Sequence, residues 1–401
     1  MSHFRASCLL SLLPVSLNLR HRQLPIDGPP RLVNFTYLDF GVTAKVLAAE
    51  LVDCPGVDGP YEVAVKKFLR RRSFLREASN IEAVASLGHD GFVPALAILE
   101  GPDREAPGSI IMDIAETSVF HWGKNADMGR QVVPIDPRSA ACSLLSALEA
   151  IHSDAAHRDV KAGNVLVFCT GGKACDVRLS DFGSMCTVEP IVGRVWCGRG
   201  SPRASGTLTA WPPEFWNFSA LSTGDAARKS DIWGLGAVLC AILRRSARKC
   251  IMKMNVDGDF LSMWHRDDGR LQRVVGSLVS DLRHEFAGRG WGAVPPQRRA
   301  ELVNEGVRRS HLPYAPKNET ARSTDAGLEA EVSEFLAQGL MKSALSRIEA
   351  WRERMIRKVR GTVWQPLFES LLHRDPAQRC TASACLRFVP GRCPVRSGAG
   401  G

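Results

Sequence analysis

The sequence predicts an α+β protein in two lobes, a small N-terminal β-sheet lobe followed by a larger, mainly helical C-terminal lobe. Three observations predict it. From Phe35 to Val65, β-branched and apolar residues run in strand fashion, broken by the turn signal DCPGVDGP. A single helical pattern follows, SFLREASNIEAVASL. After Asp231 the spacing turns mainly helical, in IWGLGAVLCAILRR and again in SEFLAQGLMKSALSRIEAWRERMIRKV.

Taken in order, the early helix spans Ser73 to Leu87, with Ser73 as its N-cap and Gly88 closing it. Ser109 to Ile114 (SIIMDI) reads as a short buried strand. Ser139 to His152 (SAACSLLSALEAIH) is apolar on most faces and so belongs in a core. Short strands around NVLVF and VRLSDF come next, separated by the turn TGGKACD. HLPYAPKNETARSTDAG and the tail PGRCPVRSGAGG read from composition as flexible, and no internal repeat is visible.

The 401 residues suffice for one large domain or two ordinary ones. A formal charge of +10 suits acidic partners, a solvated basic surface being the plainer reading. With three tyrosines and no aromatic-basic pattern, the chain lacks the marks of a nucleic-acid module. Its twelve cysteines form no C-x-x-C pair, which argues against a zinc site and for reduced, partly buried thiols in an intracellular setting. The opening MSHFRASCLLSLLPVSLNLRHR carries a short apolar run from Cys8 to Leu19, interrupted by Pro14. It resembles a marginal secretion signal without a clear cleavage site, so secretion stands as the alternative. No run is long and apolar enough to span a bilayer.

Four strings carry chemistry: VAVK ending at Lys66, AHRDVKAGN (Ala156 to Asn164), LSDFG (Leu179 to Gly183) and SGTLTAWPPE (Ser205 to Glu214). In this order they resemble the eukaryotic protein kinase superfamily, serine/threonine type, over roughly residues 33 to 390. The resemblance implies a bilobal kinase-like fold and divides the chain into an N-terminal extension (1–32), an N-lobe (33–114), a C-lobe (115–390) and a tail (391–401). The C-lobe is longer than a minimal kinase needs, which points to an insertion at about 245–329, either a docking insert or an inert one.

It also implies ATP and Mg²⁺ as cofactors and a protein substrate with a Ser or Thr acceptor. Asp159 would accept the proton of the incoming hydroxyl, and Lys161 would place a cation beside the transferring phosphoryl group. Asn164 and Asp181 would supply oxygen ligands to Mg²⁺, a hard cation that prefers them. Lys66 would tether the α- and β-phosphates. Thr207 would bond near Asp159 and Lys161, and together with Lys161 it favours Ser/Thr over Tyr. Gly41, Val46 and Ala64, with Met112, Asp113 and Ala115 at the hinge, would complete the nucleotide site. Asp231 would brace the HRD backbone, and Arg379 would pair with Glu214. Arg158 would suit an activation segment ordered by phosphorylation, Ser201 and Ser205 being candidate acceptors.

Two positions depart from the family pattern. The glutamate that should pair with Lys66 falls, counting back from HDGFV, at Asn80. Glu77, three residues earlier, shares that helix face within about 60°, whereas Glu82 points about 200° away, so Glu77 is the expected partner. The phosphate loop LDFGVTAKV keeps one glycine, Gly41, where G-x-G-x-x-G would have three; Asp39 and Ala44 replace the others. Asp39 would repel phosphate unless it turns to solvent. The alternatives are therefore a pseudokinase acting as a nucleotide-binding or scaffolding module, and a small-molecule kinase, against which the GT…PPE segment argues.

Overall fold

The computed structural model describes residues 31–41, 43–52, 60–103, 105–171, 174–188, 195–196, 210–216, 224–246, 250, 269–286, 290–310, 326–391 and 393. Thr207, Ser201, Ser205, the opening apolar run and the turn DCPGVDGP up to Gly59 lie outside them, as do 311–325 and nearly all of the tail.

Strands β1 (Arg31–Phe40), β2 (Ala44–Val52) and β3 (Tyr61–Phe68) are followed by helix α1 (Arg71–Ser86), then β4 (Ala95–Leu99) and β5 (Ser109–Asp113). The five strands form one antiparallel sheet in the order β1-β2-β3-β5-β4. Residues 63 to 66 of β3 are buried without interruption, because the central strand is covered on both faces. Val63 and Val65 join Leu51 and Ile111 on one face, while Phe68 and Ile110 pack with Phe74, Ala78 and Ile81 of α1 on the other.

Helix α1 begins two residues earlier than the sequence implies, with Arg70 at the N-cap and no side-chain cap. Ser73 is thus inside the first turn rather than its cap: β3 delivers the chain almost directly into the helix, leaving no loop for a capping residue. Gly88 closes the helix with φ of +58°, a conformation glycine adopts without strain.

The second lobe opens with β6 (Thr117–Ser118), α2 (Val119–Asp127) and α3 (Pro137–His152). Helix α3 starts at Pro137 rather than Ser139, because the Asp136 carboxylate caps it by accepting from the amides of Arg138 and Ser139. Then come β7 (Ala155–Ala156), β8 (Val165–Thr170), β9 (Ala174–Leu179), β10 (Cys186–Val188), β11 (Val195–Trp196) and α4 (Gly224–Arg244). Strand β9 takes in Ala174 to Asp176, which the sequence placed in a turn. The remaining helices are α5 (Gly269–Glu285), α6 (Pro296–Ser310), α7 (Ala326–Val359), α8 (Gln365–Leu371) and α9 (Ala382–Leu386). The helical lobe surrounds α4, which is buried on nearly every side. Helix α5 turns Val275, Leu278, Val279 and Leu282 into that same core, at the spacing of an amphipathic helix.

The expectation of reduced thiols is overturned. Cys142 is bonded to Cys393, Cys169 to Cys175, Cys240 to Cys250 and Cys380 to Cys385. Linear spacing hid these pairs. Cys169 and Cys175 are directly opposed across the β8–β9 ladder, and Cys142 meets Cys393 from 251 residues away. The thiol argument for a reducing compartment therefore no longer holds. Among the described residues, no helix is long and apolar enough to cross a membrane.

Candidate active site

Lys66 projects from the inner face of β3, beside Phe68 on the same face. Its Nζ lies 2.5 Å from Glu77 Oε1 on α1 and 3.0 Å from Asp181 Oδ1. Glu77 is only 3 % exposed, whereas the Asp181 side chain is 41 % exposed. One cation between two carboxylates leaves a net negative charge, and the drier carboxylate takes up a proton most readily. Burial accordingly lifts the Glu77 carboxyl to about 7 against the pull of Lys66. For Asp181 burial also favours the neutral form, but the Lys66 charge and hydrogen bond, with Lys161 and His157, outweigh it and hold the carboxyl at about 2. Burial opposes the charge on Lys66, and its two acidic neighbours more than offset this, raising its pKa.

Gly183 lets this cluster close. A Cβ there would come within 2.9 Å of Glu77 Oε2, so a side chain at this position would displace the carboxylate that meets Lys66.

The loop between β7 and β8 is held from below by Asp231 of α4. Its carboxylate accepts the amides of His157 at 2.8 Å and Arg158 at 2.7 Å, and lies 3.0 Å from His152 Nε2. A buried carboxylate needs such donors, and α4 comes close enough to meet them because it carries glycine at 234. A Cβ on Gly234 would be 2.3 Å from the Val160 carbonyl. His157 sits on the Ser180 carbonyl through Nε2 at 3.0 Å, while its Nδ1 faces the Asp159 amide at 3.3 Å. A carbonyl can only accept, so Nε2 carries the proton and Nδ1 accepts.

On this support Lys161 Nζ stands 2.7 Å from Asp159 Oδ2, and Asn164 Nδ2 donates to the same oxygen at 2.9 Å and to the Asp159 carbonyl at 2.9 Å. With its nitrogen committed to Asp159, the Asn164 amide presents its oxygen on the opposite side. The β8–β9 hairpin carries the chain from Asn164 back to Asp181, and Ser180 fastens the two ends by donating from its amide and hydroxyl to the Asn164 carbonyl at 2.8 and 2.9 Å. Asp181 itself is left-handed, with φ 63° and ψ 70°.

The β-sheet register puts Val46 opposite Lys66, and Ala64 between Ala48 and Met112. Directly paired residues share a sheet face, so Val46, Ala64, Lys66 and Met112 line one surface. Asp113 accepts from the Tyr61 hydroxyl at 2.7 Å, and Ala115 follows on the short connection to β6. In the β1–β2 hairpin, the Gly41 amide donates to the Ala44 carbonyl at 2.8 Å. Ala44 is buried and, unlike Asn34 on the same hairpin, is not among the positive-φ residues, so its methyl costs the turn nothing. Asp39 accepts from the amide of Phe40 at 2.7 Å, which engages its carboxylate locally.

Beyond the cleft, Arg379 grips Glu214 with both guanidinium nitrogens, at 2.6 and 3.1 Å, and stacks 5.1 Å over the Trp233 ring. Lys229 donates to the Arg379 carbonyl. The structure thus brings Lys66, Glu77 and Asp181 together, and Asp159, Lys161 and Asn164 together; Val46, Ala64 and Met112 share the Lys66 face of the sheet, and Thr207 lies outside the described residues. Sequence reasoning missed the Tyr61–Asp113 bond, the Ser180 clasp and the role of Asn80, which touches the Asp181 turn. Only Asn80 had left a signal, as the polar residue where a glutamate was expected.

These geometries accompany consistent similarities. The family model described as protein kinase domain matches residues 50–269, more than half of the chain. Two Trypanosoma brucei brucei proteins named as serine/threonine-protein kinases A and B are each 26% identical over 286 residues, covering 63% of this chain and 59% of each relative. A Pisum sativum calcium and calcium/calmodulin-dependent serine/threonine-protein kinase is 35% identical over 104 residues, 25% of this chain and 17% of its own. The chain therefore spans about three fifths of the length of the trypanosome relatives.

Proposed function

The chain belongs to the protein kinase family, and from that membership we propose that it is a serine/threonine protein kinase moving the γ-phosphate of ATP to hydroxyls on protein substrates. The observation that carries the reading is the position of Lys66 Nζ, held between Glu77 at 2.5 Å and Asp181 at 3.0 Å. That closure links the sheet, α1 and the turn at Asp181 in one arrangement, as a site that aligns phosphates requires.

Asp159 accepts the proton of the incoming Ser or Thr hydroxyl and orients it. Lys161, 2.7 Å from that carboxylate, keeps a cation beside the reacting group. Lys66 holds the α- and β-phosphates. The oxygens of Asn164 and Asp181 fit a hard divalent cation, since one amide turns its oxygen away from Asp159 and the other group stays ionised to about pH 2. ATP supplies the phosphoryl group, and Mg²⁺ offsets its charge. Val46, Ala64, Met112, Asp113 and Ala115 form the adenine side, and Gly41 the approach to the β-phosphate. The lobes divide at 33–114 and 115–390, with an insertion at about 245–329; acidic partners suit the net charge of +10.

A nucleotide-binding pseudokinase is the second reading, favoured by the single glycine of the β1–β2 hairpin. One assay separates the two: transfer of radiolabelled phosphate from Mg-ATP to generic protein substrates by the native chain, Asp159→Asn and Lys66→Met. Transfer by the native chain alone is expected, with label on Ser and Thr. Equal signal from all three, or from none, sinks the kinase reading.

A further inference from the structure

Asn80 lies on α1 one turn beyond Glu77. Its side-chain amide donates to two backbone carbonyls, Phe182 O at 2.7 Å and Met185 O at 3.3 Å. These two oxygens bracket the short 3-10 turn Phe182–Ser184 that follows Asp181 directly. The Phe182 carbonyl also accepts the Met185 amide at 3.1 Å, so the turn is closed on itself and Asn80 ties the closed turn to the helix. Two acceptors facing one side chain call for an uncharged group with two donors, which an amide supplies and a carboxylate or an aliphatic chain cannot.

The position matters because of what the turn carries. Asp181 is left-handed at φ 63°, a conformation uncommon outside glycine, although Asp adopts it more readily than most residues. Ser180 fixes the turn from the N-terminal side through the Asn164 carbonyl; on the C-terminal side Asn80 ties it to α1, and the β10 pairing of Cys186 with Ala156 follows. Helix α1 meets the cleft at two places, Glu77 on Lys66 and Asn80 on the turn, so a shift of the helix displaces the Lys66 partner and the Asp181 mount together.

We propose that Asn80 is a positioning residue, a clamp that holds Asp181 in its metal-facing geometry by fastening the 182–185 turn to α1. The clamp rests on geometry alone, while its catalytic consequence rests on the kinase reading above.

The test uses the full chain with Asn80→Leu, which keeps the bulk and removes both donors, Asn80→Asp, which opposes the carbonyls, and Asn80→Gln, which restores the amide on a longer stem. Hydrogen–deuterium exchange of residues 181–186 is measured without nucleotide, together with thermal stability and the Mg²⁺ concentration for half-maximal phosphotransfer. The Leu and Asp variants should exchange this turn about tenfold faster and need about tenfold more Mg²⁺, as expected for losing a net hydrogen bond or two, with Gln intermediate. Wild-type exchange in the Leu variant means that Asn80 only fills space, and overturns the proposal. So does exchange that quickens throughout the chain in step with a lowered Tm. If Leu does not fold, Gln against Asp decides by the same measures. Should the native chain transfer no phosphate, the kinase reading fails while the exchange result still decides the clamp.

Discussion

The ammonium of Lys66 and the carboxylate of Glu77 meet at 2.5 Å, joining the central strand of the sheet to α1 inside the protein. Their surroundings make the contact pH-sensitive. Glu77 titrates near 7 in the folded protein, against an ordinary 4.5, because burial disfavours its charge more than Lys66 favours it. A raised folded pKa means that the native state binds the extra proton. This contribution to stability is full below about 4.5 and is lost as pH rises through about 7. Its slope is at most about 1.4 kcal/mol per pH unit. Melting temperature measured from pH 5 to 8 should fall more steeply for the native chain than for Glu77→Gln. Parallel profiles would show that Glu77 does not carry the proton.

Glu214 and Arg379 form a buried two-point ion pair across 165 residues of sequence. Removing one partner strands a buried charge, so Glu214→Ala or Arg379→Ala should cost about 3–5 kcal/mol in denaturant unfolding. The double variant should lose less than the sum of the two. Strict additivity in this cycle would mean that the pair is energetically uncoupled.

Gly234→Ala tests the seat of the loop between β7 and β8. In an exposed helix interior this change gains about 1 kcal/mol from helix propensity. Here the new Cβ would lie 2.3 Å from the Val160 carbonyl, so the sign should reverse, with a loss of about 2 kcal/mol or more and reduced phosphotransfer. A stabilised Ala variant with full activity would show that α4 does not set the height of this loop.

Asp231→Asn should separate support from chemistry. The Asn amide can still accept, but it cannot serve the amides of His157 and Arg158 and also His152 as a carboxylate does. Unfolding free energy should drop by about 1–3 kcal/mol, and kcat should fall while KM for ATP changes little, because Lys66 and the sheet are untouched. A rise confined to KM would contradict this assignment.

Gly41→Ala should do the opposite. The nearest atom to a Cβ there is the Ala44 carbonyl at 3.5 Å, an ordinary contact, so the hairpin tolerates the methyl and Tm should hold. KM for ATP should rise several-fold if phosphate packs on this backbone. An unchanged KM would place the phosphates elsewhere.

Much of this was legible in the chain itself. Apolar runs of strand spacing, followed by helical spacing after Asp231, specify two lobes because burial on a sheet and on a helix demand different periods. The strings around Lys66, Asp159, Asn164 and Asp181 could be read from their order and their residue types. Even Glu77 could be found by counting helical turns. What linear order left open depended on approach between distant segments. The cysteine pairs needed the β8–β9 register and the return of the C-terminal segment to α3. The lift in the Glu77 pKa needed the depth of its burial. The bonds from Asn80 to Phe182 and Met185 needed α1 and the Asp181 turn in contact across 102 and 105 residues. Spacing along the chain determined which groups this protein carries. Three-dimensional packing decided which of them touch, because burial and hydrogen-bond geometry are properties of neighbours in space.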